Sequence, residues 1–375
     1  MTSQPVLVTG GAGFIGSHLV DALLARGLTV RVLDKLDLQV HGPETTRSRL
    51  LPPGVEFLHG SVTDRALVDR ALRDVGTVVH LAAAVGVGQS MYAIAPYVEA
   101  NAQGTAVLLD TIVNGHYAVS RLVVASSMSI YGEGRYRCAT CGPVAPRLRP
   151  LPQLEARDWE MRCHACRATV EVVPTDEEKP LLPTSVYAVT KRDQEELCLC
   201  VGRAYGIPTI ALRLFNVYGP RQALSNPYTG VAAIFASRLL NGQPPLIFED
   251  GRQSRDFVHV SDVVQAFCLA LERTDVADVA LNVGTGRSTS ITAVARLLAE
   301  ALDVPLKPTL LGQFREGDVR HCFADISRIR QILGFVPRIP LETGITELAQ
   351  WAQGQRAEDR VAQARAELGA RGLVR

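Results

Sequence analysis

The sequence predicts an α/β fold in which helices cover both faces of a doubly wound parallel sheet. Short apolar runs alternate with helical stretches through roughly the first 130 residues, and the first run leads directly into a glycine-rich turn. A chain of 375 residues is long enough for a large core in more than one lobe. We therefore expect a smaller α/β lobe in the C-terminal half.

Five apolar runs are predicted as strands because each is short and is bounded by turn residues or by a helical pattern. These runs are Pro5–Val8, Thr29–Leu33, Val55–His59, Thr77–Leu81 and Leu122–Ala125. Helices are predicted after the first run, ending near Gly27, and over residues 93–114. The alternation indicates crossover connections and hence parallel pairing.

A glycine-rich turn connects the first predicted strand to the first predicted helix. Gly10, Gly13 and Gly16 leave room for the backbone to approach a diphosphate, and the helix N-terminus offers free N–H groups and a partial positive charge. Asp34 ends the second run, 18 residues after Gly16. A carboxylate there accepts hydrogen bonds from a ribose diol and repels a 2′-phosphate. The pattern predicts a Rossmann-type domain that binds NAD.

A tyrosine and a lysine stand four residues apart on a later helical pattern. Tyr187 and Lys191 would therefore lie on one helix face, and Ser127 follows the fifth run. A phenol titrates near pH 10, but an ammonium and a cationic nicotinamide ring both favour the phenolate. With Ser127 bridging to a substrate hydroxyl, the three residues predict general-base catalysis beside a hydride acceptor. A surface Tyr–Lys pair is the alternative interpretation.

Four further motifs follow: Arg213–Pro220 (RLFNVYGP), Arg255–Val260 (RDFVHV), Leu281–Gly284 (LNVG) and Arg315–Asp318 (REGD). With the glycine turn and the tyrosine–lysine pair, they make the chain resemble extended short-chain dehydrogenases/reductases that act on nucleotide sugars. The resemblance covers about residues 5 to 353. Two arginines on separate segments also suit a diphosphate, because one guanidinium group can donate two parallel hydrogen bonds to phosphate oxygens.

The resemblance implies a set of binding residues. The cofactor-binding residues would be Gly10, Gly13, Phe14, Ile15, Gly16, Asp34, Val62, Ala82, Asn101, Tyr187 and Lys191. The substrate-binding residues would be Ser127, Ser129, Asn216, Val231, Phe248, Arg255, Arg315 and Asp318. In the family, the residues that match Asn216, Arg255 and Arg315 hold the diphosphate, and the one that matches Asp318 lies near the ribose.

The two residues after Ser127 discriminate between reactions. The family's sugar 4,6-dehydratases carry an acid and a base there, whereas this chain has Met128 and Ser129. We therefore expect 4-epimerisation by transient oxidation at C4, an isomerase reaction. The narrower resemblance is to bacterial dTDP-L-rhamnose 4-epimerases, which interconvert dTDP-L-rhamnose and dTDP-6-deoxy-L-talose. UDP-hexose or UDP-uronic acid 4-epimerases, a net oxidoreductase or decarboxylase, and a non-catalytic NAD-binding or RNA-associated protein remain alternatives.

An insertion separates Gly132 from Tyr187 by 54 residues and contains two CxxC pairs. Cys138 and Cys141 form the first pair and, after 21 intervening residues, Cys163 and Cys166 form the second. This spacing predicts a zinc-ribbon-like module with one structural zinc held by four thiolates. Unliganded thiols are the alternative, and the adjacent His164 is a second possible ligand.

The domain organisation follows from these motifs. We expect an NAD-binding Rossmann domain over 1–133 and 174–212, a zinc-binding insertion over 134–173, a mainly substrate-binding lobe over 213–354 and a helical tail over 355–375. A net charge of +1 gives no indication of nucleic-acid or membrane binding. The absence of a signal peptide or an 18-residue apolar span favours the cytoplasm. The resemblance implies a homodimer through the helices that carry Tyr187 and Asn101.

Overall fold

The computed structural model describes residues 4–42 and 51–375. Residues 1–3 and 43–50, which belong to the predicted 1–133 segment, lie outside the described residues. The strands, in chain order, are β1 Val6–Thr9, β2 Val30–Asp34, β3 Glu56–His59, β4 Thr77–His80, β5 Arg121–Ser127, β6 Arg135–Cys138, β7 Gly142–Val144, β8 Glu171–Val173, β9 Thr209–Leu214, β10 Asn216–Tyr218, β11 Leu246–Ile247, β12 Ser254–Arg255, β13 Phe257–His259, β14 Val279–Val283, β15 Thr289–Ser290, β16 Thr309–Leu310 and β17 His321–Cys322.

The α-helices of the described residues connect and cover these strands. They are Phe14–Ala25, Leu38–His41, Arg65–Leu72, Val87–Ser90, Ile94–Tyr97, Gly104–Asn114, Leu151–Glu155, Val186–Tyr205, Val231–Leu240, Val260–Glu272, Ile291–Ala301, Ser327–Leu333, Leu341–Gln353 and Val361–Ala370. A 3₁₀ turn, Met128–Tyr131, follows β5.

A seven-stranded parallel sheet forms the centre of the molecule. Its strand order is β14-β9-β5-β4-β1-β2-β3, and every neighbouring pair is parallel. Two separate apolar cores lie against it, as expected for a sheet with helices on both faces. The five predicted strands are confirmed, and β9 and β14 extend the sheet. Because all strands run in one direction, their carboxyl ends, including Thr9, Asp34 and Ser127, meet at one edge.

The predicted helix over 93–114 contains a π-helical segment. The chain is α-helical over Ile94–Tyr97, π-helical over Val98–Gln103 and α-helical again over Gly104–Asn114. The wider turn contains Asn101, whose amide donates to the Ala84 carbonyl at 3.0 Å and accepts from the Ala84 N–H at 2.7 Å. The π segment therefore fixes the loop that follows β4.

The predicted insertion forms a small antiparallel unit. Its three strands are ordered β7-β6-β8, and a cluster of buried side chains that includes Tyr136, Met161 and Val170 lies among them. The two cysteine pairs stand at tight turns, the first between β6 and β7. This unit has a small buried cluster of its own.

The residues after β9 build the rest of the molecule. The Val231–Leu240, Ile291–Ala301 and Leu341–Gln353 helices share a third apolar core. The C-terminal tail folds back onto the body, because the Phe314 N–H donates to the Arg375 carbonyl at 2.8 Å and the Glu316 N–H to the Leu373 carbonyl at 3.0 Å. Among the described residues, no helix combines the length and the hydropathy that a bilayer crossing requires.

Candidate active site

A cavity of about 1640 Å³ runs along the carboxyl edge of the central sheet and under the C-terminal lobe. It is lined by every residue that the sequence predicts for cofactor, substrate or catalysis, except Asn101. Asn101 is fully buried behind the cavity and hydrogen-bonds the backbone of Ala84. Its side chain can therefore affect a ligand only through Ala84, which lines the cavity. One cavity thus joins the glycine turn, the tyrosine–lysine pair and the C-terminal arginines.

The glycine turn forms a cradle that any side chain would fill. Gly10 has φ +71°, and a Cβ placed on it would lie 2.7 Å from the backbone nitrogen of Ala82. A Cβ on Gly16 would overlap the carbonyl oxygen of Gly10. The turn therefore keeps the backbone of β1, β4 and the first helix close together and leaves the helix N-terminus open to an anion.

Asp34 stands at the end of β2 with its carboxylate fixed in place. One oxygen accepts from the Ala12 N–H at 3.0 Å and the other from the Leu36 N–H at 2.9 Å. A carboxylate oxygen can accept more than one hydrogen bond, and Asp34 lines the cavity with His41 Nε2 4.0 Å from its Oδ1. Together with the glycine cradle, this acceptor set fits a dinucleotide with a free ribose diol.

Ser127, Tyr187 and Lys191 lie together in the cavity wall. Tyr187 and Lys191 belong to the Val186–Tyr205 helix, which is capped by Ser185 and held by a 3.0 Å bond from the Tyr187 N–H to Ser90 Oγ. Burial raises the pKa of Tyr187 to about 12, and its hydrogen bond with Ser127 opposes that rise. The phenol therefore needs a positive charge nearby to ionise at neutral pH.

Lys191 makes contacts that the sequence did not predict. Its ammonium donates to the Ala125 carbonyl and to Gln194 Oε1, both at 2.5 Å. Gln194 in turn donates to Thr105 Oγ1 at 2.9 Å. Burial lowers the pKa of Lys191 to about 8. Gln194 follows Lys191 by three residues on the same helix, and that spacing is the one sequence signal for it.

The arginines of the C-terminal half line the other side of the cavity. The Arg315 guanidinium lies 4.8 Å from the centre of the Phe248 ring and donates to Asp318 at 2.8 Å. Arg255 lines the cavity and donates to the carbonyls of Ser254, Val319 and Arg320, which orients its guanidinium. Among the described residues, the buried Asn216 Oδ1 has no hydrogen-bond partner, which suits a side chain that binds a polar ligand.

The C-terminal tail also reaches the cavity. Val361, Ala364 and Leu368 of its helix line the wall. Glu367 accepts hydrogen bonds from Tyr92 at 2.9 Å and from Tyr228 at 3.2 Å, which ties the tail to both halves of the molecule. This wall was not predictable from the sequence, since a helical pattern after residue 355 is its only signal there.

The four cysteines of the insertion converge outside the cavity. Their Sγ atoms all lie within 4.8 Å of one another, with Cys138 and Cys163 buried and Cys141 and Cys166 exposed. Zinc–sulfur bonds of about 2.3 Å in a tetrahedron place the sulfurs about 3.8 Å apart. The donor set therefore suits a zinc ion, and His164 is exposed and outside the cluster.

Comparison with known proteins identifies the family. The sequence profile of the NAD dependent epimerase/dehydratase family matches residues 6–148 and 165–284. The chain belongs to this family. Its relatives include the dTDP-L-rhamnose 4-epimerase of Burkholderia thailandensis, 38 % identical over 93 % of this chain and 94 % of that protein. The putative UDP-glucose 4-epimerase of Methanocaldococcus jannaschii is 32 % identical over 92 % of this chain and 97 % of that protein.

Solved structures agree with the sequence relatives. The UDP-glucose 4-epimerase of Thermotoga maritima, with UDP-glucose, has a TM-score of 0.75 and 32 % identity over 92 % of this chain and 98 % of its own. The UDP-glucuronic acid 4-epimerase of Bacillus cereus, with UDP-glucuronic acid and NAD, has a TM-score of 0.76 and 26 % identity over 93 % of this chain and 99 % of its own. These four relatives carry the names of nucleotide-sugar 4-epimerases, which are isomerases.

Proposed function

We propose that the protein is an NAD-dependent nucleotide-sugar 4-epimerase. The observation that carries the proposal is the single cavity in which Ser127, Tyr187 and Lys191 stand between a dinucleotide cradle and a pair of arginines. NAD held by the glycine turn and Asp34 would supply the hydride acceptor for C4 of the sugar and, in its reduced form, the hydride donor for the other face. Net redox change is therefore zero, and no cofactor is consumed.

The side chains of this chain move the proton and hold the substrate. Tyr187 accepts the proton of the C4 hydroxyl during oxidation and returns it during reduction, with Ser127 as the hydrogen-bonding bridge. The ammonium of Lys191 adds positive charge that favours the phenolate. Arg255, Arg315 and Asn216 bind the diphosphate and so leave the sugar free to turn over between the two hydride transfers.

For the substrate we propose dTDP-L-rhamnose and its C4 epimer, dTDP-6-deoxy-L-talose. Support comes from the 38 % identity to an enzyme of that name across nearly the full chain. UDP-hexoses and UDP-uronic acids are the second candidates, because solved 4-epimerases with UDP-glucose and UDP-glucuronic acid have almost the same fold. Dehydration and decarboxylation are less favoured, since Met128 and Ser129 carry no proton-transfer group beside Ser127.

We also propose one structural zinc in the insertion. Four converging sulfurs and the small core around them support it, because a metal stabilises a module of this size. Purified, reduced protein should contain one zinc per chain by elemental analysis. Cys141→Ser should lose most of it, whereas Cys200→Ser, which changes another exposed cysteine, should keep it. Metal-free protein, or equal zinc in both variants, would contradict the site.

A homodimer is proposed from the resemblance of the two long helices to the family's dimer interface. Ile94 and Val98, near Asn101, and Val189, near Tyr187, are 53 %, 43 % and 45 % exposed, as expected of apolar residues that a second copy covers. Light scattering at micromolar concentration tests this, and a monomer mass would contradict it.

The proposed activity is tested by proton NMR of dTDP-, UDP- and GDP-sugars incubated with the protein and no added cofactor. We expect one donor to yield its C4 epimer, with dTDP-L-rhamnose the first to examine. Turnover that needs added cofactor, with absorbance change at 340 nm, would point to a net redox enzyme. Bound NAD without turnover of any sugar would contradict the proposal.

A further inference from the structure

The insertion lies behind one wall of the cavity. Within the described residues, no residue of 134–173 lines the cavity. The insertion instead contacts the back of two segments whose other side carries Phe248, Arg315 and Asp318. It is therefore placed to control the shape of the nucleotide-sugar site without touching the ligand.

The main contact is made by Arg149, from the stretch between the two cysteine pairs. Its side chain is only 2 % exposed and donates to Glu249 Oε1 at 2.7 Å and to the Asp318 carbonyl at 3.4 Å. A third bond, to the Trp159 carbonyl at 2.9 Å, holds the guanidinium to its own segment. One side chain of the insertion thus binds both pieces of the cavity wall.

Arg320 completes the contact from the side of the lobe. It is fully buried and bonds Glu249 Oε2 at 2.9 Å, the Asp250 carboxylate at 2.7 Å and Glu160 of the insertion at 2.5 Å. The Trp159 ring packs on Phe314, the neighbour of Arg315, with ring centres 6.4 Å apart. The interface therefore combines a buried charge network with an aromatic contact.

Glu249 is the residue on which this network converges. It has φ +54°, a left-handed conformation that is unfavourable for a non-glycine residue. Its two carboxylate oxygens are each held by a different arginine, one from the insertion and one from the lobe. Such strain persists only where the surroundings hold it, and Phe248 is the preceding residue in the chain.

We propose that Arg149 is a positioning residue for the nucleotide-sugar site, through which the cysteine-held insertion keeps Phe248, Arg315 and Asp318 in their binding geometry. This inference rests on the proposed function for the identity of the ligand. Arg149, Trp159 and Glu160 all lie between Cys141 and Cys163, so pinning both ends of that stretch at one zinc fixes where its side chains meet the wall. The effect is confined to substrate binding, because Arg149 has no contact with the glycine turn.

The test compares Arg149→Met with Arg147→Met, a matched change at an exposed arginine of the same segment. Binding of dTDP, UDP and NAD is measured by titration calorimetry, and zinc by elemental analysis. For Arg149→Met we expect about tenfold weaker nucleoside diphosphate binding, with NAD affinity and zinc content unchanged, and a raised KM with kcat within about threefold. Arg147→Met should behave like the wild type.

A loss of nucleoside diphosphate affinity below threefold, or an equal loss of NAD affinity, overturns the inference. Removing one partner of a buried ion pair can unfold a protein, so the same threshold is applied to Arg149→Lys if Arg149→Met does not fold. Lysine keeps the charge but cannot bridge Glu249 and Asp318 as a planar fork does. Wild-type protein that binds dTDP or UDP but turns over no sugar would contradict the proposed function and leave this inference standing. Wild-type protein that binds neither dTDP nor UDP would contradict both the proposed function and this inference.

Discussion

The two walls of the cavity are built in different ways. The cofactor wall, formed by the Gly10–Gly16 turn, Asp34 and Ala82, comes from the ends of three strands within the first 82 residues. The substrate wall, formed by Phe248, Arg255, Arg315 and the tail helix, is assembled from segments far apart in the chain. The first wall depends on local backbone geometry, whereas the second depends on long-range ion pairs and hydrogen bonds. We therefore expect changes in the two walls to have separable effects on NAD and on the nucleotide sugar.

The largest effect on activity should come from replacing Tyr187, the proposed catalytic base. Tyr187→Phe removes the group that accepts the substrate proton, and we expect kcat to fall by about 10²- to 10⁴-fold. NAD affinity should stay close to that of the wild type, since the ring and its packing remain. The assay is epimer formation by NMR. Tyr205→Phe, at an exposed position of the same helix, is the control. A kcat of Tyr187→Phe within tenfold of the wild type would rule out Tyr187 as the base.

A change in the cofactor wall should affect NAD alone. Gly16→Ala brings a methyl group against the Gly10 carbonyl, where there is no room for it. Overpacking of this kind costs about 1–3 kcal/mol, so we expect NAD affinity to fall about 5- to 150-fold while dTDP binding changes little. Gly369→Ala, which has open space around it, is the control. Equal losses for NAD and dTDP would show that the two walls are not independent.

The smallest effect should come from the tail. Glu367→Ala removes the acceptor shared by Tyr92 and Tyr228, so the helix that lines the cavity loses one hydrogen bond to each half of the molecule. We expect KM for the nucleotide sugar to rise by about two- to tenfold, as one or two lost hydrogen bonds imply, with NAD affinity unchanged. Ala366→Ser, at an exposed neighbour, serves for comparison. An unchanged KM would mean that the bonds of Glu367 do not contribute to binding of the nucleotide sugar.

The cofactor wall was predictable from sequence because its chemistry requires particular residues at short, fixed spacings. Glycines mark the close backbone approach at Gly10 and Gly16, and a carboxylate marks the strand end at Asp34. The Tyr187–Lys191 spacing was predictable for the same reason, since one helical turn separates the two residues. All of these residues line the cavity.

The substrate wall and its supporting contacts could not be predicted, because they depend on pairs of residues far apart in the chain that no local sequence pattern indicates. Arg149 meets Glu249 across 100 residues, and Tyr92 meets Glu367 across 275. The π-helical turn at Asn101 likewise accompanies bonds between its amide and the backbone of Ala84, 17 residues earlier, whereas the residue pattern alone favours an ordinary α-helix. The insertion was recognisable by its cysteines, but its position behind the substrate wall followed only from these contacts.

The most direct test of the account follows the hydrogen at C4. A dTDP-L-rhamnose deuterated at C4 is incubated with the protein in ordinary water without added cofactor, and the epimer is analysed by NMR and mass spectrometry. We predict that the epimer keeps its deuterium at C4, because the same hydride equivalent leaves C4 and returns to it without exchange with solvent. Exchange of the label with solvent would contradict oxidation and return at C4, and accumulation of a reduced cofactor would show a net redox reaction instead.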